Sequence, residues 1–165
     1  MSDPFAPADR SAVMRAVKGR DTSPERALRR LLWARGGRYR LHVADLPGKP
    51  DIVLRRRRLA IFVNGCFWHG HECKRGARVP EANRAYWLGK IAANRARDEA
   101  NQAALTAQGW RVEVVWECEM KDRPAIEARI ESWLTKSSLP PAKTARGFAP
   151  LPSPPPPLRG PPPPR

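Results

Sequence analysis

Apolar and polar residues change their spacing several times along the chain, and each spacing predicts a different element. Residues 59–64 begin with the continuous apolar run LAIFV, which is typical of a strand buried on both faces. A short strand is predicted at residues 51–54, and four arginines at residues 55–58 form the turn between the two strands. The alternating residues 39–43 predict a further strand, and so do residues 110–116, WRVEVVW.

Three stretches have the spacing of amphipathic helices. Thr22 and Glu25 stand at capping-box spacing and predict a helix over residues 22–35. A long helix is predicted over residues 83–108, and a last helix is predicted to begin at Asp122. The residues predicted to face the core are, helix by helix, Ala27, Leu28, Leu31 and Leu32, then Trp87, Leu88, Ile91, Ala92, Ala96 and Leu105, then Ile126, Ile130, Trp133 and Leu134.

The order of these elements predicts one α/β domain, with a mixed sheet and helices packed against it. We assign this domain to residues 11–138, which include a short first helix at residues 11–18. Residues 1–10 are predicted to form a flexible N-terminal arm. Proline dominates residues 139–165, and this composition predicts a disordered tail that favours polyproline II.

The net charge of the chain indicates which class of partner it binds. Its 165 residues carry 31 Lys and Arg against 16 Asp and Glu, a net charge of +15. Such a basic protein is expected to bind a polyanion, and nucleic acid is the simplest one. Binding at a membrane surface is disfavoured, because no basic amphipathic helix has a clean apolar face and no apolar run has the length of a span. The N-terminal residues lack a signal-peptide core, so we expect a cytoplasmic protein.

Reactive side chains are concentrated in residues 66–73, CFWHGHEC, directly after the central strand. This segment holds two of the three cysteines and two of the three histidines, and the third cysteine, Cys118, follows the next strand. In a reducing compartment these cysteines favour metal binding or simple burial over disulfides. Three cysteines and one histidine would suit a structural zinc ion. The residues alone leave open whether that histidine is His69 or His71, and whether the cysteines are merely buried.

Two acidic residues suggest a second and different metal site. Asp51 opens a short strand after Pro50, and Glu25 lies on the helix before it. This order is typical of nucleases in which a strand aspartate binds Mg²⁺ beside the scissile phosphate. The alternatives are a turn residue for Asp51 and a capping-box residue for Glu25. His69 is a candidate general base, unless it is a loop residue or a zinc ligand, whereas we predict that His42 is a plain strand residue.

Two aromatic residues on the predicted loop are candidates for contact with nucleic acid. Phe67 and Trp68 could stack on bases or insert between base steps, or they could cover the core beneath the metal site. Trp87 could join either arrangement. The arginine turn at residues 55–58 is either a solvated turn or, in a chain this basic, a phosphate contact.

Several segments of the chain strongly resemble the very-short-patch mismatch repair endonucleases, the Vsr family. They are SAVMRAVKGRDTSPE at 11–25, LPGKPDIVL at 46–54, FVNGCFWHGHEC at 62–73, YWLGKIAANRARD at 86–98 and GWRVEVVWECE at 109–119. The likeness covers residues 10–136 and implies a restriction-endonuclease-like core of the PD-(D/E)xK kind with a structural zinc site. It also implies Mg²⁺-dependent nicking of one strand, 5′ to the thymine of a T:G mismatch that arises when 5-methylcytosine deaminates.

The resemblance further implies roles for individual residues. Asp51 would be the central Mg²⁺ ligand, together with the main-chain carbonyl of Val63. Glu25 and His69 would act around a second Mg²⁺ ion and its water. One zinc ion would be held by Cys66, His71, Cys73 and Cys118. The DNA contacts would be Phe67, Trp68 and Trp87 as a wedge at the mismatch, Met14 with the N-terminal arm in the other groove, and Asn64, where members often carry histidine.

The implied partners are double-stranded DNA with a T:G mismatch, mismatch-repair proteins and a cytosine methyltransferase acting on the same sites. We expect a monomer in the cytoplasm that is nucleoid-associated when bound to DNA. Two other functions remain open from the residues alone. One is a zinc-stabilised basic DNA-binding module without catalysis, since residues 59–65 contain neither a second acid nor a lysine. The other is a nuclease of the same fold that acts on unmispaired DNA or on RNA.

Overall fold

The computed structural model describes residues 20–136, which contain three α-helices, four strands and two short 3-10 helices at Arg55–Arg57 and Glu119–Lys121. In chain order the α-helices and strands are α1 (Ser23–Ala34), β1 (Arg40–Leu41), β2 (Ile52–Leu54), β3 (Leu59–Asn64), α2 (Arg84–Ala107), β4 (Arg111–Trp116) and α3 (Arg123–Thr135). None of these helices has the length and hydrophobicity of a membrane span. The predicted N-terminal arm, first short helix, Met14 and proline-rich tail lie outside the described residues.

The strands form one mixed sheet in the order β1-β2-β3-β4. The β1–β2 and β2–β3 pairs are antiparallel, whereas β3 and β4 are parallel and are connected through α2. The pairing of β2 with β3 stops at Ile52 and Ile61, so residues 62–64 extend beyond β2 and pair with β4 alone. The predicted mixed α/β architecture is confirmed, and the candidate functional residues gather at the overhanging end of β3.

Helices cover both faces of this sheet. Helices α1 and α3 pack on one face, where Leu28, Ile130 and Ile61 belong to the same buried cluster. Helix α2 covers the other face, where Leu105 packs with Ala60. Because successive residues of a strand point to opposite faces, a strand covered on both sides needs apolar residues at every position. This explains the unbroken LAIFV run of β3.

The strand predicted at residues 39–43 is much shorter than expected. Only Arg40 and Leu41 pair with β2, and Leu41 is exposed, so the alternating pattern does not mark a buried face. His42 follows with a φ angle of 45°, in the left-handed region, where the strand cannot continue. The prediction that His42 is a plain strand residue is therefore wrong.

Helix α2 has the predicted bounds to within one residue but not the predicted inner face. Leu88 is 45% exposed and Ala92 and Ala96 are exposed as well, while Ile91 and Leu105 are buried. Between these two buried residues the helix covers a polar cavity instead of apolar core. The residues of α2 that line this cavity are Arg97, Asp98, Asn101 and Gln102.

The predicted start and inner face of the last helix are confirmed. The Asp122 carboxylate accepts a hydrogen bond from the Ala125 amide at 3.1 Å, as expected of an N-cap residue. Ile126, Ile130 and Trp133 are fully buried against the sheet.

Candidate active site and metal centre

A cavity of about 550 Å³ opens where β3 extends beyond β2. Asp51, Glu25, Val63 and His69 all line it, so the structure brings together the four residues that the resemblance connects with Mg²⁺. The basic residues Lys49, Arg75 and Arg97 line it too and are exposed. An acidic interior with a basic rim suits a phosphodiester with a divalent cation beneath it.

Asp51 directly precedes β2, and its side chain is hydrogen-bonded to the end of β3 that extends beyond β2. The Val63 amide donates a hydrogen bond to Asp51 Oδ2 at 2.8 Å, and the aspartate side chain is 19% exposed. Burial raises the pKa of Asp51 to about 6, against the opposing effect of this hydrogen bond, and the charge of Glu25 raises it further. A nearby cation would stabilise the carboxylate. The Asp51 side chain and the Val63 main chain thus offer oxygen ligands of the kind that Mg²⁺ prefers.

Glu25 accepts hydrogen bonds at the start of α1 and also lines the cavity. It lies in the first turn of α1, where its Oε1 accepts the Thr22 hydroxyl at 2.9 Å and its Oε2 accepts the Asp21 amide at 3.1 Å. The helix start is as predicted, but Thr22 donates to Glu25 instead of accepting from the helix backbone as in a reciprocal capping box. Arg29 Nη2 also donates to Glu25 Oε2, at 2.8 Å. The carboxylate is therefore buried, fully bonded and part of the cavity wall.

His69 is held by a partner that the sequence reasoning missed. Its Nδ1 contacts the carboxylate of Asp98 on α2, and both residues line the cavity. A carboxylate at Nδ1 favours the tautomer with the proton on that nitrogen, which directs the lone pair of Nε2 toward other groups. Nearby, Asn94 donates to the Trp68 carbonyl at 2.9 Å and ties the loop to α2. One feature of the sequence could have indicated this partner: Asn94, Asp98 and Gln102 recur at helical spacing and therefore form a polar side of α2.

If His69 is the general base of the strand nicking that the resemblance implies, Asp98→Asn is expected to slow nicking by about 10- to 100-fold, because an amide holds the tautomer and orientation of the imidazole less firmly than a carboxylate. Zinc content and thermal stability should stay unchanged, since Asp98 lies outside the cysteine cluster. Glu99→Gln, which alters the exposed acid next to it, is the matched control. Equal single-turnover rates for the two variants would show that Asp98 does not position His69.

Two further residues take unexpected places in the cavity region. His42 Nδ1 lies 3.8 Å from Asp51 Oδ1, and its Nε2 lies 3.1 Å from Arg29 Nη2. No pattern in the sequence separates this histidine from an ordinary strand residue. Asn64, predicted to contact DNA, is 8% exposed at the end of β3 and lines the same cavity.

A second cluster consists of Cys66, His71, Cys73 and Cys118. Their sulfur and ring nitrogen atoms all lie within 4.8 Å of one another, and Cys118 Sγ is 3.5 Å from His71 Nδ1. His69 is not a member, and His71 is the histidine that lies among the three cysteines. The cluster forms because Cys66 and Cys118 each lie two residues beyond the ends of the parallel strands β3 and β4. Soft thiolates with one imidazole are the donor set of structural zinc sites, and these residues fit that ion.

The thiols of this cluster differ in acidity. Burial raises the pKa of Cys66 to about 12, whereas the hydrogen bond with His71 lowers the pKa of Cys73 to about 6. Metal ligation requires thiolates, so a bound cation would have to displace the proton of Cys66. His71 also stacks on Trp116 of β4, with ring centroids 4.4 Å apart. This packing orients the imidazole toward the cysteines.

Gly76→Ala is expected to distort the cysteine cluster. A Cβ at this position would lie 2.0 Å from the His71 carbonyl oxygen and 2.8 Å from that of Cys66, and both atoms belong to the backbone. We expect the free energy of unfolding to fall by about 1–3 kcal/mol, with weaker retention of zinc. Gly89→Ala is the control, because nothing lies within 4 Å of its Cβ and alanine favours a helix by about 0.5–1 kcal/mol. Equal stability of the two variants, measured by denaturant unfolding, would contradict this packing.

Three aromatic rings form a cluster on the loop and the start of α2. Phe67 lies 5.1 Å from Trp68 and 5.6 Å from Trp87, and the two tryptophans are 6.2 Å apart, all edge to face. Each ring is half-buried. Tyr86, which the sequence reasoning did not single out, extends the cluster and is 58% exposed. The rings thus pack against one another and still expose apolar surface to solvent.

The arginine turn lies at the opposite end of the β2–β3 hairpin from Asp51 and Val63. Arg55 forms an ion pair with Asp45 at 3.0 Å, and the Arg58 guanidinium lies 5.0 Å from the centre of the Trp110 ring. The residues of the turn do not line the cavity. The turn is therefore not part of the cavity, and a contact with phosphates elsewhere on bound nucleic acid stays a prediction.

Comparison with known proteins identifies relatives. The family described as DNA mismatch endonuclease Vsr matches residues 2–75. The type II nicking enzyme V.XorIIP of Xanthomonas oryzae pv. oryzae is 52% identical over 83% of this chain and 100% of its own length. The DNA mismatch endonuclease Vsr of Escherichia coli is 41% identical over 81% of this chain and 88% of its own.

A weaker likeness links the chain to the catalytic domain of the homing endonuclease I-Bth0305I. The TM-score is 0.47 at 21% identity, over 68% of this chain and 94% of that domain. The two sequence relatives are 52% and 41% identical over more than four fifths of this chain, and they confirm the resemblance predicted from the motifs. The chain belongs to the Vsr family of DNA mismatch endonucleases.

Proposed function

We propose that this protein nicks one strand of duplex DNA on the 5′ side of the thymine in a T:G mismatch, in a Mg²⁺-dependent reaction that starts very short patch repair. The observation that supports this proposal most strongly is the shared cavity of Asp51, Glu25 and His69, flanked by the half-buried aromatic cluster. We further propose a restriction-endonuclease-like core and a monomer that acts in the cytoplasm on the nucleoid. Its partners would be mismatch-repair proteins and a cytosine methyltransferase that modifies the same sites.

The residues that line the cavity would have different roles in the reaction. Asp51 and the Val63 carbonyl would hold Mg²⁺, which when bound supplies Lewis-acid activation of water and stabilises the leaving 3′-oxygen. His69 would accept the proton of the attacking water at Nε2, while Asp98 holds the ring in the required tautomer. Lys49 would contact the phosphates at the rim.

The aromatic cluster would supply the selectivity for the mismatch. Phe67 and Trp68 stand between Cys66 and His71, so a zinc ion bound to these two residues would hold the rings in a fixed orientation. Inserting rings between base steps requires unstacking, which costs less at a mispaired step. Selectivity would then come from the lower cost of unstacking the mispaired step. The aromatic rings and His69 would then lie on adjacent parts of one loop, beside the proposed metal ligands.

A panel of duplexes tests the proposal. The full chain, loaded with zinc and given Mg²⁺, should nick a duplex with one T:G mismatch at least about tenfold faster than the fully paired duplex. Trp68→Ala should reduce the T:G rate by about 10- to 100-fold, given the stacking energy of one base on an aromatic ring. Trp33→Ala, at an exposed tryptophan on α1 outside the cavity, is the control. Equal cutting of paired DNA or of RNA would instead favour a nuclease of another substrate class.

A further inference from the structure

An acidic group lies beside Asp51 on the α1 side of the cavity. It consists of Asp21, Glu25 and His42, whose oxygen and nitrogen ligand atoms all lie within 4.8 Å of one another. His42 connects the group to Asp51, since its Nδ1 is 3.8 Å from Asp51 Oδ1. Two carboxylates and an imidazole at this separation have the chemistry of a divalent cation site. The second Mg²⁺ ion implied by the resemblance would be expected near Glu25.

The side chain of Arg29 already lies inside this group. Its Nη2 is 2.8 Å from Glu25 Oε2 and 3.1 Å from His42 Nε2, and its Nη1 bonds to the carboxylate of Asp21. Arg29 is 9% exposed, and its guanidinium brings a positive charge and five N–H donors to the group. Mg²⁺ binds its ligands at about 2.0–2.1 Å, so an ion could not reach these atoms without displacing the guanidinium.

We propose that Arg29 is the resident cation of this group and the residue that positions Glu25 and His42 beside Asp51. It takes the place of a second Mg²⁺ ion and leaves Asp51 as the site of a single divalent ion. The inference rests on the proposed function only in taking Asp51 as a metal ligand. Arg29 contacts neither the water nor the phosphate and acts through the groups that it holds.

Counting Mn²⁺ ions bound to the zinc-loaded full chain without DNA, by electron paramagnetic resonance titration, tests the inference. The wild-type protein should bind one Mn²⁺ ion, and Asp51→Asn should bind none. Arg29→Met, which empties the group of its cation, should bind two, and the double variant with Asp51→Asn should bind one. Arg35→Met is the matched control from the C-terminal end of the same helix, because Arg35 pairs with Glu127 at 2.9 Å away from the cavity.

Two results would overturn the inference. One is a Mn²⁺ ion that remains bound to Asp51→Asn, since the acidic group would then accept a metal with Arg29 in place. The other is a folded Arg29→Met that binds no more Mn²⁺ than the wild-type protein. If Arg29→Met does not fold, the Asp51→Asn count decides alone, because it leaves Arg29 intact. A gain of one ion on removing Arg29 supports the inference even if the protein nicks no DNA, so its failure and that of the proposed function remain distinguishable.

Discussion

Replacing Asp51 with asparagine is expected to abolish strand nicking and, at the same time, to stabilise the fold. The carboxylate is the central ligand of the proposed divalent ion, so single-turnover nicking should fall at least about a thousandfold. The Val63 amide can still donate to the side-chain oxygen of the new asparagine, which keeps the local geometry. Zinc content and binding to a T:G duplex should change little, because neither depends on this carboxylate.

The gain in stability follows from the raised pKa of Asp51. The folded protein raises this pKa from 3.8 to about 6, so the carboxyl group contributes stability below pH 4 that is lost as the pH rises through 6. At pH 7 the buried charge destabilises the fold by roughly 2–3 kcal/mol, at 1.36 kcal/mol per pKa unit. Asparagine removes that charge, and denaturant unfolding of the metal-free protein at pH 7 and pH 4 measures the difference.

Asp45→Asn is the matched control for this prediction. Asp45 is exposed and pairs with Arg55, whose hydrogen bond lowers the pKa of the carboxyl group, so its removal should slightly destabilise the fold and leave nicking unchanged. An active Asp51→Asn would exclude Asp51 as the central metal ligand. An inactive Asp51→Asn that is also less stable than the wild-type protein would point to misfolding as the cause.

The two histidines of the loop are expected to separate zinc binding from catalysis. His71→Ala removes one of the four proposed zinc ligands, so zinc should fall from about one ion per chain to almost none and the thermal midpoint by roughly 10 °C or more. Nicking should be lost too, since the loop no longer holds Trp68 and His69. His69→Ala should keep the zinc and the thermal midpoint but lose about 10²- to 10⁴-fold in nicking rate, the usual contribution of a general base.

Metal analysis, thermal denaturation and nicking of the same two preparations decide this prediction. Loss of zinc from His69→Ala with retention in His71→Ala would reverse the assignment of the two histidines. Full zinc content in both variants would show that the cysteine cluster does not depend on either imidazole.

The sequence predicted most of the fold because apolar spacing reports directly on burial. The run in β3 marked a strand covered on both faces, and Asp122 and Gly109 marked helix boundaries to within one or two residues. The predictions failed at polar residues that face the cavity or the acidic group beside it. The middle of α2 presents Asp98 to a cavity, and His42 leaves the strand to join the acidic group, although the local patterns suggest core and strand.

The candidate site was predictable where residue type and element order indicate a metal ligand, as for the cysteines, Glu25 and Asp51. The short spacing of Cys66, His71 and Cys73 indicated a metal site, and the position of Asp51 at the start of a strand made it a candidate Mg²⁺ ligand before the family motifs supported it. Asp98 comes from α2, whose packing brings it to His69, and no spacing along the chain relates these two residues. Arg29 stands four residues after Glu25 on α1, a spacing that predicts their ion pair, but its contacts with Asp21 and His42 follow from the fold alone. Residues 59–73 nonetheless contribute much of the candidate site. They contain the strand end beside Asp51, three members of the cysteine cluster, and two aromatic residues that lie between those members in the chain.

Mapping the nick at nucleotide resolution tests the proposed mismatch-directed reaction most directly. The zinc-loaded full chain is incubated with a duplex that carries one T:G mismatch and a different label on each strand, with Mg²⁺ or with a chelator. We expect one Mg²⁺-dependent break, on the thymine strand and directly 5′ to the mispaired thymine, with the guanine strand intact. Breaks in both strands, a break at another position, or cutting that persists without a divalent ion would contradict the proposed function.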